Sequence, residues 1–309
     1  MTTMRAAAID SFGSADVLRV RDVEAPEPLP GEVLVRVMAA GVQLTDAAIR
    51  AGWTPPGATI AFPQILGNEF SGIVEAVGSG VTNVAVGEEV AGFRTLCCYA
   101  ELAAVPADQI VVKPAGVDWT VAGVMSASGQ TAHTAIDVLA VRAGETVLVH
   151  GAAGGVGTVF VQLAVDRGAR VIGTASLANH EYLRELGANA VEYGSDQLER
   201  IRKVAPDGVD VAFDAAGHDN LRTAIELVED RQRIATIVDM ALAGELGCRV
   251  LRSDRSAERL TDLMDRVARG ALRIHVRRTY ALDQAADAHR DVETGHGRGK
   301  IALTISGPR

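Results

Sequence analysis

The sequence predicts an α/β protein in which a doubly wound parallel-sheet domain is joined to an all-β domain formed by both chain ends. Three observations lead there. Residues 1 to about 115 carry short alternating apolar segments separated by Gly and Pro turns, the pattern of a barrel or sandwich. From Val117 onward, helical segments alternate with short buried strands, as crossover connections in a parallel sheet require. One of those strands runs through a glycine-rich turn straight into a helix.

In the first region the strand-like segments are EVLVRVMAAGV, SGIVEAVG, EEVAGF, ELAAVP and QIVVKP, with turn signals at PEPLPGE, GSGV and AVGEE. After Val117, VAGVMSASGQTAHTAIDVLA reads as a helix pair and ETVLVH as a strand. TVFVQLAVDRG reads as a helix apolar on nearly all sides, hence buried. ARVIGTA is a strand and HEYLRELGA an amphipathic helix, followed by strands VDVAFDAAG, RIATIVDM and GCRVLR. A helix is expected near Glu258 to Arg269. The tail then returns to β character at IHVRRTYAL and KIALTIS, with a helix DQAADAHRDVE between, and is expected to complete the first domain. The expected boundaries are 1–116 plus 272–309 for the all-β domain and 117–271 for the parallel-sheet domain.

Composition narrows the function. The 309-residue chain has a net charge of −9 and no run of Lys and Arg that makes a basic patch, which argues against nucleic acid and anionic membranes as partners. Its densest basic stretch, Arg273 to Arg278, also reads as a strand. No stretch approaches the ~18 apolar residues of a membrane span. Three cysteines with no Cys-x-x-Cys do not suggest a disulfide framework. The start, MTTMRAAAID, lacks the apolar core of a signal peptide. A cytoplasmic location is expected.

The strongest chemical signal is the turn Gly151-Ala-Ala-Gly154-Gly155-Val156-Gly157. Glycine is needed where backbone approaches a pyrophosphate that a Cβ would strike. The following helix offers free N–H groups and a partial positive charge to the phosphates. A tight turn alone would also use glycines, but the strand before, the helix after and a second strand ending ~20 residues on favour a dinucleotide. The end of that second strand selects the cofactor. An NAD site usually has Asp or Glu there to bond the ribose 2′-hydroxyl. This chain has Thr174, Ala175 and Ser176, with no acid before Glu181. A neutral hydroxyl admits a 2′-phosphate, and His180 is near enough to donate to it, so NADPH is expected. Ser176 could equally cap the next helix.

Taken together, P28-L-P-G-E-V-L-V-R36, A40-G-V-Q-L-T-D46, I65-L-G-N-E-F-S-G72, V86-G-E-E-V-A-G92, S128-G-Q-T-A132, G151-A-A-G-G-V-G157, L186-G-A188 and G299-K-I-A-L303 resemble the medium-chain dehydrogenase/reductase superfamily, in its zinc-independent quinone oxidoreductase (zeta-crystallin-like) branch. The resemblance spans the whole chain. It implies a GroES-like all-β domain, a Rossmann domain, and a homodimer formed partly by edge strands near Gly247 to Arg252. Zinc-bearing cousins place a Cys before the Thr-Asp pair and a His before the Glu. Here Gln43 or Leu44 and Asn68 stand there, none a usual zinc ligand. No metal is expected.

Without a Lewis acid, the reaction left to the fold is hydride transfer from nicotinamide to a conjugated carbon. The expected substrate is a small hydrophobic quinone or an α,β-unsaturated carbonyl compound. The resemblance assigns Gln43 to the nicotinamide ribose or the substrate oxygen. It assigns Thr131 to the carboxamide, Tyr193 to the neighbourhood of the 2′-phosphate, and Arg298 and Lys300 to a segment closing over the cofactor. Asp46 is a candidate proton donor that could instead order its own loop. Trp53, Phe62, Phe93 and Met240 are candidates for the substrate side. His133, His150 and His289 are expected to be structural. The alternatives are a zinc-free enoyl-thioester reductase of the same fold and a non-catalytic NADPH-binding redox sensor.

Overall fold

A computed structural model describes residues 2–295 and 297–305. Contacts divide them into two compact units. The first holds residues 2–127, 255–295 and 300–305, the second 128–254 and 297–299. The sequence places these boundaries at 116/117 and 271/272. The helix Ala257–Ala268 falls within the first unit, where it packs against the strand Ile110–Val112.

The first unit is built on a seven-stranded sheet in the order Val276–Ala281, Lys300–Thr304, Glu32–Val42, Glu69–Val77, Glu89–Phe93 and Ile110–Val112, with Leu102–Pro106 also pairing Glu32–Val42. The C-terminal strand Lys300–Thr304 runs antiparallel beside Glu32–Val42, with Ile301 opposite Val42. A smaller sheet joins Arg19–Glu24, Thr3–Ile9 and Gln64–Ile65. Val33, Val35 and Val37 alternate into the core beside Leu66, Phe70 and Tyr99, the period-two burial of a half-buried strand. One element departs from the expected all-β character. Leu44–Arg50 is a helix. The Asp46 carboxylate accepts the Gln43 backbone N–H at 2.9 Å, satisfying a donor at the helix start, while Ala47, Ile49 and Arg50 are buried.

The second unit has six strands, all parallel, in the order Ala188–Glu192, Arg170–Ala175, Thr146–His150, Val211–Asp214, Ile234–Thr236 and Arg249–Val250. Strand order reverses at Thr146–His150, the position in such sheets where ligands bind beyond the carboxyl ends. The helix Gly155–Asp166 is buried along most of its length, from Gly157 through Ala164 apart from Gln162. Phe160 stacks on Phe213 with ring centroids 4.5 Å apart. Short helices at Gln197–Val204, Asn220–Ile225 and Met240–Leu246 complete the alternation. Among the described residues no helix is long and apolar enough to cross a membrane.

Candidate active site

In the second unit the strand Thr146–His150 is wholly buried. Gly151 follows with φ of 71°, a left-handed conformation that a side chain disfavours. Gly154 precedes the helix Gly155–Asp166, and no side chain caps that helix start, so its first N–H groups stay available to an anion. A Cβ on Gly157 would overlap the Gly151 carbonyl and lie 2.8 Å from Ala152 Cα. The glycine is therefore needed for the turn to fold tightly under the helix. Asp214, which the sequence reading missed, fixes the neighbouring loop. Its carboxylate accepts from the N–H groups of Ala216 at 3.0 Å and Gly217 at 2.9 Å and from the Thr236 hydroxyl at 2.8 Å. The available signal was an acid ending an apolar strand just before Ala-Ala-Gly.

The strand Arg170–Ala175 ends in Thr174 and Ala175, followed by Ser176, none of them an acid. The Ser176 hydroxyl makes no helix-cap bond; it accepts from Asn179 Nδ2 at 3.2 Å. His180 Nε2 lies 3.4 Å from the Ala175 carbonyl. Arg298 arrives here from far along the chain. It donates to Asn179 Oδ1 at 3.1 Å and to the Ala178 carbonyl at 3.3 Å, and its guanidinium lies 4.4 Å over the Tyr182 ring. The placement follows from its neighbour: Gly299 N–H donates to the Ala153 carbonyl at 2.9 Å, and Gly299 bridges Gly154 in parallel. Tyr193 is 51% exposed, so it is not core. It follows the strand Ala188–Glu192, whose Glu192 pairs with Ala175, which puts it at the same end of the sheet. Thr131 is half-buried on the helix Met125–Val138, and Met240 is exposed at the start of its own helix.

The first unit gathers a second set of groups. Asp46 is buried and its carboxylate accepts three donors: Gln43 N–H at 2.9 Å, Asn68 Nδ2 at 2.9 Å and the Tyr99 hydroxyl at 2.9 Å. Burial still pushes its pKa up to about 6. Glu69 has no exposed surface and also takes three donors: Gln43 Nε2, Lys300 Nζ at 3.2 Å and Ala127 N–H at 2.6 Å. Gly41 makes room for it, since a Cβ there would lie 2.6 Å from the Glu69 carboxylate carbon. Lys300 is 5% exposed; its ammonium is committed to Glu69, while Arg298, two residues earlier, serves the second unit. Arg255, which sequence reasoning did not single out, donates to Asn68 at its carbonyl and at Oδ1, 3.1 and 3.2 Å away. It lies 4.9 Å over the Phe93 ring, and Phe93 is buried beneath it. Trp53 and Phe62 are exposed, Phe62 packing edge-on against Phe12 at 5.2 Å. His150 and His289 are fully buried, and burial pushes their pKa down to about 3 and about 4.

A tight glycine turn at the switch point of a parallel sheet, in a chain that also folds a separate β unit, defines a dinucleotide-binding oxidoreductase. Residues 29–189 match the alcohol dehydrogenase GroES-like domain and residues 186–303 match the zinc-binding dehydrogenase family. The quinone oxidoreductase of Pseudomonas aeruginosa is 31% identical over 319 residues, covering 95% of this chain and 97% of that protein. The 2-haloacrylate reductase of a Burkholderia species is 32% identical over 327 residues, covering 96% and 98%. The Escherichia coli quinone oxidoreductase complexed with NADPH superposes with a TM-score of 0.86 at 25% identity, covering 97% of this chain and 99% of that one. This chain belongs to the medium-chain dehydrogenase/reductase superfamily.

Proposed function

We propose that the protein is an NADPH-dependent, zinc-independent reductase of small hydrophobic quinones and α,β-unsaturated carbonyl compounds, working in the cytoplasm as a homodimer. The carrying observation is the adenosine-side arrangement: Arg298 is seated on Tyr182 and Asn179, at a strand end that offers Ser176 and no carboxylate. A dianionic 2′-phosphate meets a cation there, and the strand end itself supplies no acid. The groups fit a nicotinamide dinucleotide, because the Gly157 position leaves no room for a Cβ and the uncapped start of the helix Gly155–Asp166 offers donors.

The bound cofactor would supply a hydride from the nicotinamide ring, and water would supply the proton that completes a hydroquinone or a saturated carbonyl. The chain's own residues bind and orient. Gly154 to Gly157 receive the pyrophosphate, and Ser176, His180, Arg298 and Tyr193 face the adenosine end. Thr131 receives the carboxamide. Gln43 gives its amide N–H to Glu69 and keeps an amide oxygen for ribose or substrate. Asp46 has both oxygens engaged, so its role is to position Gln43, Asn68 and Tyr99. Trp53, Phe62 and Met240 offer apolar surface to a substrate. At the places where a metal-bearing relative would hold zinc, Gln43 and Asn68 are neutral amides bonded to Glu69 and to Asp46 and Arg255, a poor donor set for that ion. The exposed strand Arg249–Val250 ends the parallel sheet and supports pairing of two copies there.

A turnover assay tests this reading. NADPH oxidation is followed with phenanthrenequinone and with a small enone, on protein whose zinc content is measured. Turnover by metal-free protein is expected. Binding of NADPH without reduction of any acceptor would make the protein a sensor and overturn the reductase.

A further inference from the structure

Arg255 is a cation with no acidic partner among the described residues. The chain carries a net charge of −9, and carboxylates are common near its arginines. Yet among the described residues no carboxylate lies within ion-pair distance of Arg255. The acids whose charge acts on it are already used: Asp46 accepts from Gln43, Asn68 and Tyr99, and Glu69 from Gln43, Lys300 and Ala127. Arg255 is half-buried, and burial lowers its pKa, opposed by the more distant charges of Glu69 and Asp46. An arginine remains charged under such conditions, so its position needs another explanation.

The geometry supplies one. A single guanidinium nitrogen, Nη1, makes both bonds to Asn68, at its carbonyl and Oδ1, 3.1 and 3.2 Å away. The Phe93 ring, 4.9 Å from the guanidinium carbon, supports the plane from one side. Asn68 is itself held, because its Nδ2 donates to Asp46. The chain Tyr99–Asp46–Asn68–Arg255 thus fixes a planar fork whose remaining N–H donors have no partner among the described residues. None of the nitrogens of Arg255 is buried without a hydrogen bond, so those donors are open to a ligand.

We infer that Arg255, held by Asn68 over Phe93, is a carboxylate-binding group of the substrate unit, and that the enzyme accepts α,β-unsaturated carboxylates, whose carboxyl oxygens pair with the free edge of the guanidinium. A planar fork fits a carboxylate with two parallel bonds, which a neutral amide cannot reproduce. The inference rests on the reading of this unit as the substrate side and names a substrate class for it.

Binding of acrylate and of its neutral isostere acrylamide is measured by ligand-observed NMR on the full protein, with and without saturating NADPH, for wild type, Arg255→Gln and Arg255→Lys. Thermal unfolding verifies that each variant is folded. Acrylate is expected to bind wild type and to weaken ~10-fold or more in Arg255→Gln, as loss of a charge-assisted pair implies. Acrylamide should be unaffected, and Arg255→Lys should retain part of the preference for acrylate. Equal acrylate binding in wild type and Arg255→Gln overturns the inference, as does no acrylate binding to wild type. A site that takes inorganic phosphate and refuses acrylate also overturns it. Because these readouts need no turnover, the carboxylate site can stand if the enzyme reduces no quinone or enone, and fall while that activity remains.

Discussion

The guanidinium of Arg298 lies 4.4 Å over the ring of Tyr182 and donates to Asn179, 119 residues away in sequence. That contact brings a cation to the end of the strand Arg170–Ala175, where local sequence supplies none. Replacing Arg298 by Gln should therefore weaken NADPH binding by about 1.5–3 kcal/mol, the range for a hydrogen bond to a charged group, and leave NADH affinity nearly unchanged. Fluorescence titration of both nucleotides checks this.

Gly157 tests the turn. Gly157→Ala would force a Cβ against the Gly151 carbonyl and Ala152. The turn must open, at an expected cost of about 1–3 kcal/mol in stability. Binding of both nucleotides should fall together, unlike the selective loss at Arg298. Urea unfolding and the same titrations separate the two effects.

Lys300 and Glu69 form a buried pair at 3.2 Å. Removing one partner strands the other charge, so Lys300→Met should destabilise the protein by about 3–5 kcal/mol. Lys300→Met combined with Glu69→Gln should recover part of that loss in urea unfolding, since the second change removes the stranded charge.

His289 sets part of the acid sensitivity. It has no exposed surface and neither ring nitrogen has a hydrogen bond. Burial pushes its pKa down to about 4, below the ordinary value near 6.5. The unfolded chain therefore binds the proton first. The stability this group contributes is present above pH ~6.5 and is lost as pH falls toward about 4. His289→Phe, which can keep the edge-on contact with Tyr99, should flatten the decline in unfolding temperature over that window. Asp46 works in the opposite sense. With its pKa raised to about 6, it opposes folding increasingly as pH rises from ~4 to about 6.

Much of the fold was legible because it is written in local patterns. The alternation from Val117 onward and the glycines at 151–157 each reflect a period or a steric demand confined to a few residues. The helix Leu44–Arg50 was not legible, since its start depends on one side chain, Asp46, closing on the Gln43 N–H. The site was half legible. Ser176 and the absent acid could be read directly, but Arg298 beside Asn179, Lys300 on Glu69 and Arg255 on Asn68 join residues 119, 231 and 187 positions apart. Nothing in a local window marks such partners. Arg298 and Lys300, two residues apart, proved to serve different units because the chain passes from one to the other between them.

The dissociation constants of NADPH and NADH for the wild-type protein, measured at one ionic strength, decide whether the adenosine end selects the phosphorylated nucleotide. NADPH is predicted to bind ~10-fold or more tightly, the effect of pairing a 2′-phosphate with a cation at a strand end that carries no acid of its own. Equal affinities, or no binding of either nucleotide, would contradict the account.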